Sequence, residues 1–436
     1  MRFLFVAPSA YLLGGVQDWL YSLSMELKRK GHAVKVAVPN NFFHNGAKYS
    51  EHYKGIDIVF FSNRTGSYQG RLNALCKLLI NYPTDIVVGV NIGDLYEAYR
   101  RVMNKIQGTR IVMTLHAFEV EYLRDIAKYS RLLDGVITTN KLSKKMVTKL
   151  GLINESRVLY APYGVDSNRL IVERKHRDTL KVAWVGRLEN QQKRIKDLAY
   201  IVKHLESNHI DYQLSIAGEG PAKPEIQKEL EVQIREKKID LVGCLDKNKL
   251  HEFYNKHDIL LITSEWETGP IVAWEAMLSG LAVVSSQYVG SRLEAALINE
   301  ETALLFPIGA HQLAAKQITR LAETNLRERI SKHGMLMAES RYSLDHSVSS
   351  WEEAFYRITR LKPRENIFHP RNHFMQDSGK LDSLLGAQSV ERLREVLGKK
   401  GYCRDPGCEW PHSFSSKSTS KQLLDYAKIL EKDEPA

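Results

Sequence analysis

Cysteine, long apolar runs and acidic residues are all in short supply in this sequence. Only four cysteines occur in 436 residues, which excludes a disulfide scaffold and fits a reducing compartment. No apolar run reaches the ~20 residues that a membrane-spanning helix requires. Acidic residues number 51 against 62 lysines and arginines, giving a net charge of +11. With 43% hydrophobic and 26% charged residues, the composition excludes whole-chain disorder, collagen and coiled coil.

The positive charge is concentrated in the first part of the chain. Residues 1–165 contain 22 lysines and arginines against 12 acidic residues, so the rest is nearly neutral. This asymmetry predicts that the first part faces an anionic partner: a membrane surface, an acidic glycan or nucleic acid. A basic surface that serves only solubility is the alternative. No nucleic-acid-binding module accompanies the charge, so we expect no nucleic-acid partner.

Short apolar runs alternate with helical periodicity along most of the chain, and the rhythm restarts after the polar stretch Asp166–Thr179. Strands without polar alternation are typical of parallel sheets covered by helices on both faces. We therefore predict an α/β protein with two Rossmann-like, doubly wound domains, residues 1–166 and 167–345, facing a central cleft. An amphipathic helix over 346–361 is expected to pack back on the first domain, and 362–436 forms an additional tail.

Particular helices follow from periodicity and from helix-stop residues. In the second domain we predict helices over Ile195–Leu205 and Pro224–Lys237. In the tail we predict helices over Val390–Gly398 and Lys421–Lys432. The N-terminal sequence Met1–Gly15 has the basic and apolar character of a signal peptide. Because it continues into a glycine turn, an amphipathic helix and a second strand, we expect it to belong to the folded domain.

The segment SEWETGPIVAWEAMLSGLAVV, Ser264–Val284, follows an apolar strand and leads into a helix. Pro270 suits the first helical position and Gly269 the cap. The helix N-terminus would attract phosphate through its N–H groups and dipole. Glu267, just before the helix, would accept hydrogen bonds from ligand hydroxyls, and Glu275, inside it, would hold a ribose diol. The alternative is a pair of surface glutamates beside an ordinary helix.

Two cations occur at the end of another predicted strand, in VGRLENQQKRIKDL. Gly186 and Arg187 follow the strand directly, and Lys193 precedes a helix. Such a pair can neutralise a diphosphate, Arg as a planar fork and Lys as a point charge. A solvated basic loop is the alternative.

Gly14-Gly15 lies between the first strand and the first helix, where glycine lets the backbone approach a phosphate. The pattern is not G-x-G-x-x-G, and no acid is well placed ~20 residues later, which disfavours a dehydrogenase. His116 directly follows a buried strand. It is either a structural histidine or a hydrogen-bond partner of a sugar hydroxyl or leaving phosphate.

Taken together, these motifs resemble the retaining family-4 glycosyltransferases of GT-B fold, also described as glycosyl transferases group 1. The resemblance extends from Met1 to about Leu361, and its motifs occur in family order. They are Gly14-Gly15, KGHAVKV, PTDIVV, TLHAF, DGVITTN, APYGVDSNRL, VGRL…QKR, AGEGP, KHDILLITSEWE and EAMLSGLAVVSS.

The resemblance implies catalytic roles for Arg187 and Lys193 at the donor diphosphate, Glu267 at the donor sugar and His116 at the transferred sugar. It implies donor-binding positions at Gly14, Gly15, Gly186, Gly269, Pro270, Ile271, Val272 and Glu275, with the Gly15 N–H on the distal phosphate and Glu275 on the ribose. Two departures stand out. Gly269-Pro270 replaces the usual Phe-Gly, and Asn190–Gln192 place Lys193 one residue further from Arg187 than in many members.

The implied reaction is transfer of a sugar from a UDP- or GDP-linked donor to a saccharide or lipid-linked saccharide, with retention, in cell-surface polysaccharide or lipopolysaccharide biosynthesis. The leaving phosphate itself would take the acceptor proton. We expect no metal requirement and no cofactor, since neither a carboxylate dyad nor a persuasive DxD is present. A catalytically silent GT-B subunit, a nucleotide-sugar epimerase and a phosphorylase are the alternatives.

We expect the acceptor to bind the basic first domain, which contains the aromatic segment Asn40–Gly55. The expected location is cytoplasmic, with the inner face of the cell membrane as a docking surface. The cations that would lie on an anionic leaflet are Lys28, Arg29, Lys30, Arg100, Arg101, Lys105, Lys141, Lys144 and Lys145. A soluble sugar acceptor is the alternative.

The tail contains Cys403-x4-Cys408-x3-His412, with His369-x3-His373 upstream. These are zinc-ligand residue types, but the spacing matches no standard zinc finger or knuckle. We therefore favour a tail that docks on a surface or a partner over a structural zinc site.

Overall fold

The computed structural model describes residues 1–8, 14–40, 45–117, 119–166, 179–364, 380–399 and 417–432. The chain divides into two compact units. Unit 1 comprises Met1–Thr139, Ser143–Ala161 and Val348–Leu423, and unit 2 comprises Asn140–Leu142, Pro162–Ser347 and Leu424–Ala436. The domain limits at residues 166 and 345 stay a prediction. The candidate zinc ligands His369, His373, Cys403, Cys408 and His412 lie outside the described residues.

Unit 1 is built on a parallel sheet. Its strands are β1 (Arg2–Val6), β2 (Ala33–Pro39), β3 (Asp57–Phe61), β4 (Ile86–Val90), β5 (Arg110–Leu115), β6 (Gly135–Thr138) and β7 (Val158–Tyr160). They pair in the order β3-β2-β1-β4-β5-β6-β7. The early helices are α1 (Gly15–Arg29), α2 (Gly46–His52), α3 (Tyr68–Asn81), α4 (Asp94–Val102), α5 (Val120–Tyr129) and α6 (Lys141–Lys149).

Unit 2 contains a second parallel sheet. Its strands are β8 (Leu180–Val185), β9 (Tyr212–Ala217), β10 (Ile239–Gly243), β11 (Ile259–Ile262), β12 (Ala282–Ser286) and β13 (Leu304–Phe306), in the order β10-β9-β8-β11-β12-β13. Its helices are α7 (Asp197–Ser207), α8 (Lys223–Glu229), α9 (Glu231–Arg235), α10 (Lys247–Asn255), α11 (Ile271–Leu278), α12 (Ser291–Glu294), α13 (His311–Arg320) and α14 (Thr324–Tyr342).

The central strands are buried on both faces, as their uninterrupted apolar sequences predict. Every residue of β4 and every residue of β11 is buried. A side chain on either face of such a strand is removed from water by a helix, so alternation with polar residues would leave polar groups unsatisfied. The predicted α/β class with two parallel, doubly wound sheets is confirmed.

In the described part of the chain, four helices follow α14. They are α15 (Leu344–Arg360), α16 (Lys380–Leu385), α17 (Ala387–Leu397) and α18 (Lys417–Lys432). From Val348 onward α15 contributes to the core of unit 1. The ring centroid of Phe355 lies 4.9 Å from that of Phe3, and Trp351 lies 4.6 Å from Trp19. Both α15 rings are fully buried, so this helix is an integral layer of the unit.

Several predicted helix boundaries are wrong for local reasons. The first helix of unit 2 begins at Asp197 rather than Ile195, because Arg194 adopts a left-handed φ of 50°. The predicted helix over 224–237 is two helices, α8 and α9, since Leu230 turns into the core at φ −110° and ψ 18°. The tail helices α17 and α18 begin three and four residues earlier than predicted.

Within the described residues, no helix combines the length and apolar character needed to cross a bilayer. The same residues contain no group of three or more His, Cys, Asp or Glu side chains arranged to hold a metal ion.

The carboxyl ends of β8 and β9 approach so closely that one of them requires glycine. Gly218 has φ +139°, and a Cβ there would lie 1.9 Å from the carbonyl oxygen of Gly186. We expect Gly218→Ala to lower the free energy of unfolding by at least about 2 kcal/mol, through backbone strain and overpacking together. Urea denaturation followed by tryptophan fluorescence measures this loss.

Gly31→Ala is the matched control, because Gly31 also has a positive φ, +88°, but open space around its Cβ position. It should cost about 1 kcal/mol, from backbone strain alone. Equal losses for the two variants would contradict the close approach at Gly218.

Candidate functional site

The candidate site residues of unit 2 lie where the strand order of the sheet reverses. The neighbouring strands β8 and β11 continue into loops that lead to opposite sides, as the order β10-β9-β8-β11-β12-β13 requires. Open parallel sheets bind ligands at this point, outside the carboxyl ends of the strands. Gly186 and Arg187 directly follow β8, and Glu267 follows β11 by five residues. The topology thus brings together segments about 80 residues apart in sequence.

Glu267 is a buried carboxylate held by side chains from two loops. It is 6% exposed. Lys193 Nζ lies 2.6 Å from its Oε1, Ser264 Oγ donates to Oε1 at 2.5 Å, and Gln192 Nε2 donates to Oε2 at 3.4 Å. A buried charge without partners would be strongly unfavourable, so this donor set stabilises the ionised carboxylate. Glu267 is therefore not a surface glutamate.

The loop that carries Lys193 is organised by another acid that the sequence reasoning did not single out. The Glu189 carboxylate accepts hydrogen bonds from the backbone N–H groups of Gln191, Gln192 and Lys193, at 2.7, 3.0 and 2.6 Å. The Lys193 carbonyl in turn accepts from Thr263 Oγ1 at 2.7 Å. The extra residue in Asn190–Gln192 is thus accommodated in a turn closed by Glu189, and Lys193 still reaches Glu267.

Unlike Lys193, Arg187 has no charged or hydrogen-bonding partner among the described residues. Its side chain is exposed and makes no ion pair or hydrogen bond with the described part of the chain. Gly186, just before it, has a Cβ position 3.6 Å from Lys193 Cδ, so the stem of Lys193 passes beside the Gly186 backbone. The end of β8 therefore combines one unpaired guanidinium with one lysine that is already neutralised by Glu267.

Helix α11 begins one residue later than predicted. Pro270 is its cap rather than its first residue, because its ψ of 90° lies outside the helical range, and Gly269 precedes it with φ +95°. Ile271 and Val272 are the first two helical residues, so their N–H groups have no intrahelical acceptor. Further along, half-buried Glu275 accepts a hydrogen bond from Tyr254 Oη at 3.1 Å.

His116, in unit 1, directly follows β5 and is 4% exposed. Burial lowers the pKa of His116 to about 3, so the ring is neutral at physiological pH. Thr114 Oγ1 donates to the Gly89 carbonyl at 2.9 Å and must therefore accept from His116 Nε2, 2.8 Å away. The geometry assigns the proton to Nε2. The ring also packs 4.5 Å from Trp19.

Gly14 and Gly15 also lie in unit 1, at the beginning of α1. Gly14 is the cap and Gly15 the first helical residue, and the Gly14 carbonyl accepts from Gln17 and Asp18 at 3.0 Å. The Gly15 N–H is among the first-turn amides that α1 itself cannot satisfy. Residues 9–13, which connect β1 to this turn, lie outside the described residues.

The sequence predicted helix α18 but did not indicate that it contacts the segment that carries Glu267. Lys428 Nζ lies 2.9 Å from Glu265 Oε1. Glu431 is 8% exposed, and its Oε1 accepts from the backbone N–H groups of Gly290 and Arg292 at 3.1 and 2.8 Å. The neighbouring Val289 pairs through its backbone with Glu265 and Glu267. Helix α18 therefore contacts this segment directly through Lys428. It also contacts it indirectly through Glu431, which binds the backbone next to Val289. Its amphipathic sequence was visible, but nothing in it indicated where the helix would bind.

The pH dependence of stability tests the burial of Glu431. Burial raises the pKa of Glu431 above its ordinary value of 4.5, despite the two backbone donors. Its contribution to stability is therefore present below pH 4.5 and is lost as the pH rises through the raised pKa. We expect the free energy of unfolding of the wild type, minus that of Glu431→Gln, to fall between pH 4 and pH 7.

Urea denaturation at constant ionic strength gives both values, and Glu353→Gln, at an exposed position, controls for the loss of one acidic residue. The difference in unfolding free energy between the wild type and Glu431→Gln could instead stay constant or rise over this pH range. That result would show that the Glu431 carboxylate is not held in a desolvated position.

Two family models match consecutive parts of the chain. The model described as glycosyltransferase family 4 matches residues 13–169, and the model described as glycosyl transferases group 1 matches residues 169–337. Together they span both sheets. All the candidate site residues named above, apart from those of α18, lie within the matched residues.

Curated relatives and a solved structure are consistent with these matches. The putative glycosyltransferase EpsF of Bacillus subtilis is 29% identical over 123 residues, 28% of this chain and 30% of that protein. The capsular polysaccharide biosynthesis glycosyltransferase CapM of Staphylococcus aureus is 24% identical over 222 residues, 50% of this chain and 56% of that protein. The chain thus matches less than two thirds of the length of either relative.

The structure of HepE from Anabaena in complex with UDP and glucose superimposes with a TM-score of 0.67 at 16% identity, covering 82% of this chain and 99% of that one. At this level of identity the likeness concerns the fold, and it confirms the predicted GT-B fold.

Proposed function

The chain belongs to glycosyltransferase family 4, and on that premise we propose that it transfers a sugar from a nucleotide-diphosphate sugar to a saccharide or lipid-linked saccharide acceptor. Its relatives CapM, in capsular polysaccharide biosynthesis, and HepE, in complex with UDP and glucose, support this class of donor and acceptor. Cell-surface polysaccharide or lipopolysaccharide biosynthesis is the proposed process.

One observation carries the proposal: the carboxyl edge of the unit 2 sheet combines an unpaired cation, a second cation and a buried carboxylate. Exposed Arg187 follows β8, and Lys193 pairs with Glu267 at 2.6 Å. Arg187 and Lys193 bind the donor diphosphate, and the first amides of α11, at Ile271 and Val272, add the dipole of the helix N-terminus. Gly186 and Gly269 keep the approach to the phosphates open.

Glu267 accepts hydrogen bonds from hydroxyl groups of the donor sugar. Its carboxylate is already oriented by Ser264 and Gln192, so little rearrangement precedes binding. Gly269-Pro270, with the left-handed φ at Gly269, replaces the family's usual Phe-Gly and shapes the loop that reads this sugar. Glu275, half-buried and held by Tyr254, binds the ribose diol.

The transfer breaks the bond between the anomeric carbon and the phosphate oxygen and forms a bond from that carbon to the acceptor hydroxyl oxygen. Negative charge develops on the departing diphosphate, where Arg187, Lys193 and the α11 amides stabilise it. The acceptor proton passes to the departing phosphate oxygen on the same face, so configuration is retained, through an oxocarbenium-like transition state. This proton balance needs neither a carboxylate base nor a metal ion.

His116 contributes as a neutral hydrogen-bonding group near the transferred sugar. With a pKa of about 3 it cannot supply positive charge at physiological pH. The Gly15 N–H, beside Gly14 at the beginning of α1, binds the distal phosphate.

The acceptor binds unit 1, in keeping with the basic character of residues 1–165. The proposed location is cytoplasmic, at the inner face of the membrane when the acceptor is lipid-linked. There the clustered lysines and arginines of this region add electrostatic attraction to anionic lipids.

Arg187→Ala is the sharpest test of the diphosphate role. Because Arg187 is exposed and unpaired, its removal leaves the fold intact, whereas turnover should fall about 100- to 1,000-fold, the range for removal of one charge-stabilising donor. Sugar transfer to acceptor, or hydrolysis of the donor, measures it. Exposed Lys203→Ala, on α7, is the control. Near-normal turnover in Arg187→Ala would refute the diphosphate role of Arg187, whereas a wild type without turnover would favour a catalytically silent subunit.

Lys193 requires a paired design, because Lys193→Ala alone leaves the buried Glu267 carboxylate unpaired and should cost about 3 kcal/mol or more of stability. Lys193→Met with Glu267→Gln removes both charges and should unfold with a free energy much closer to the wild type. We expect turnover to be lost in both proteins while stability differs. Urea denaturation and donor hydrolysis on the same samples separate the two effects, and a double variant with wild-type turnover would exclude both residues from the reaction.

A thermal-shift screen identifies the nucleotide base of the donor. A ligand at 100 times its Kd stabilises the native state by about 2.7 kcal/mol, so UDP, GDP or ADP should raise the melting temperature if its base is the correct one. Arg187→Ala should reduce the shift. We expect excess EDTA to leave both the shift and the turnover unchanged. Activity restored only by added magnesium would contradict the metal-free mechanism.

A further inference from the structure

The tail, which the family models do not reach, forms one wall of a groove on unit 1. The groove has a volume of about 610 Å³ and lies beside the edge strand β3 and helix α3, with α17 opposite. Its tail wall is formed by Arg394, Glu395, Gly398 and Lys399, beyond residue 337, where the family match ends. The tail wall is therefore formed by residues outside the part of the chain that the family models match.

The tail wall is held in place by a buried carboxylate. Glu391 is 0% exposed and accepts from Ser67 Oγ at 2.5 Å and from Thr65 Oγ1. Ser67 Oγ also accepts from the Gly70 N–H at 2.9 Å, as the N-cap of α3. Buried charges are found where they are fully paired, so α17 has one specific position against α3. The packing of α17 against α3 therefore fixes the position of the tail wall of the groove in unit 1.

The groove carries uncompensated positive charge. Arg64, Lys77 and Lys399 are exposed and make no ion pair with any residue in the described ranges. Arg394 is neutralised by Asp382 at 2.9 Å and by Glu391. Glu395 is the acid among the lining residues, so three unpaired cations face one carboxylate. Such an excess favours an anionic ligand.

The remaining lining favours a sugar over a bare anion. The ring of Phe60 is 42% exposed, and Tyr82 also lines the groove. The amides of Asn73 and Asn81 and the hydroxyl of Ser62 add donors and acceptors. A pyranose offers an apolar C–H face to such rings and hydroxyl groups to such amides. The volume of about 610 Å³ lies within the range of about 300–1,000 Å³ that is typical of ligand pockets.

We propose that this groove binds an anionic segment of the acceptor saccharide, with its carboxylate or phosphate groups on Arg64, Lys77 and Lys399. Only the identification of the saccharide as the acceptor rests on the proposed function. Binding of an anionic saccharide to the groove does not depend on it. It assigns an acceptor subsite to the side of unit 1 where α17 packs, at which the saccharide is recognised by its charge.

The test is isothermal titration calorimetry of the full chain with a hexamer of galacturonic acid, which carries one carboxylate per sugar, and with neutral maltohexaose. We expect the acidic hexamer to bind and maltohexaose to bind at least tenfold more weakly. The triple variant Arg64→Gln, Lys77→Gln and Lys399→Gln should weaken binding of the acidic hexamer at least tenfold. The charge-matched control, Lys228→Gln, Lys316→Gln and Lys332→Gln at exposed positions of unit 2, should change it less than twofold.

Several outcomes would overturn the proposal. Equal weakening in the two triple variants would mean that only net charge matters. Equal binding of maltohexaose would exclude recognition of the anion. Complete displacement of the acidic hexamer by inorganic phosphate, at an equal concentration of negative charge, would indicate a site for a free anion. Retention on anionic vesicles through the same three residues, without hexamer binding, would indicate a lipid surface.

Binding of the nucleotide diphosphate is measured on the same samples. The proposed function and the groove proposal can then be contradicted independently of each other. The groove triple variant should keep the wild-type thermal shift with the nucleotide diphosphate, since its substitutions lie in unit 1. If no nucleotide shifts the wild type, the proposed function fails while the hexamer titration still decides the groove. If the nucleotide binds and the hexamer does not, the groove proposal alone fails.

Discussion

The reversal of strand order within a parallel sheet is the constraint on which the candidate site depends. Between β8 and β11 the chain leaves the sheet in opposite directions, and the loops after the two strands cannot cover their own carboxyl ends. Arg187 and Lys193 come from one loop and Glu267 from the other. The 2.6 Å pair between Lys193 and Glu267 joins them and neutralises the buried carboxylate. Removal of either partner would therefore affect both the charge balance and the stability of this edge.

The tail contributes to both units through buried carboxylates. In unit 1, Glu391 accepts hydrogen bonds from Ser67 and Thr65 at the beginning of α3. In unit 2, Glu431 accepts from the Gly290 and Arg292 amides, next to the segment that carries Glu267. A carboxylate removed from water is stable only in the presence of matched donors, so each one specifies a single position for its helix. The described helices α17 and α18, beyond the family match, are thus structural parts of the two units.

The sequence was most informative where one local rule dominated. Apolar runs predicted buried parallel strands, and the cation pair after one strand and the two glutamates around a helix start predicted the composition of the site. Boundaries were less accurate where burial or a local backbone conformation outweighed periodicity. Leu230 interrupts a predicted helix where its side chain enters the core, and α7 begins only at Asp197, after Arg194 with its left-handed φ of 50°. For His116, sequence left open a structural or a ligand-binding role; its burial adds that the ring is neutral.

By itself, the sequence determined the α/β class, the family and the residue types available for binding a diphosphate, because these depend on local periodicity and on motifs within one or two turns of a strand end. Only the tertiary structure decided which charges are paired. Lys193 and Glu267 are 74 positions apart, and Glu431 is about 140 positions from the amides it binds. Whether a charge is compensated depends on neighbours in space, and those neighbours are set by sheet topology and by the docking of the tail, neither of which a local pattern contains.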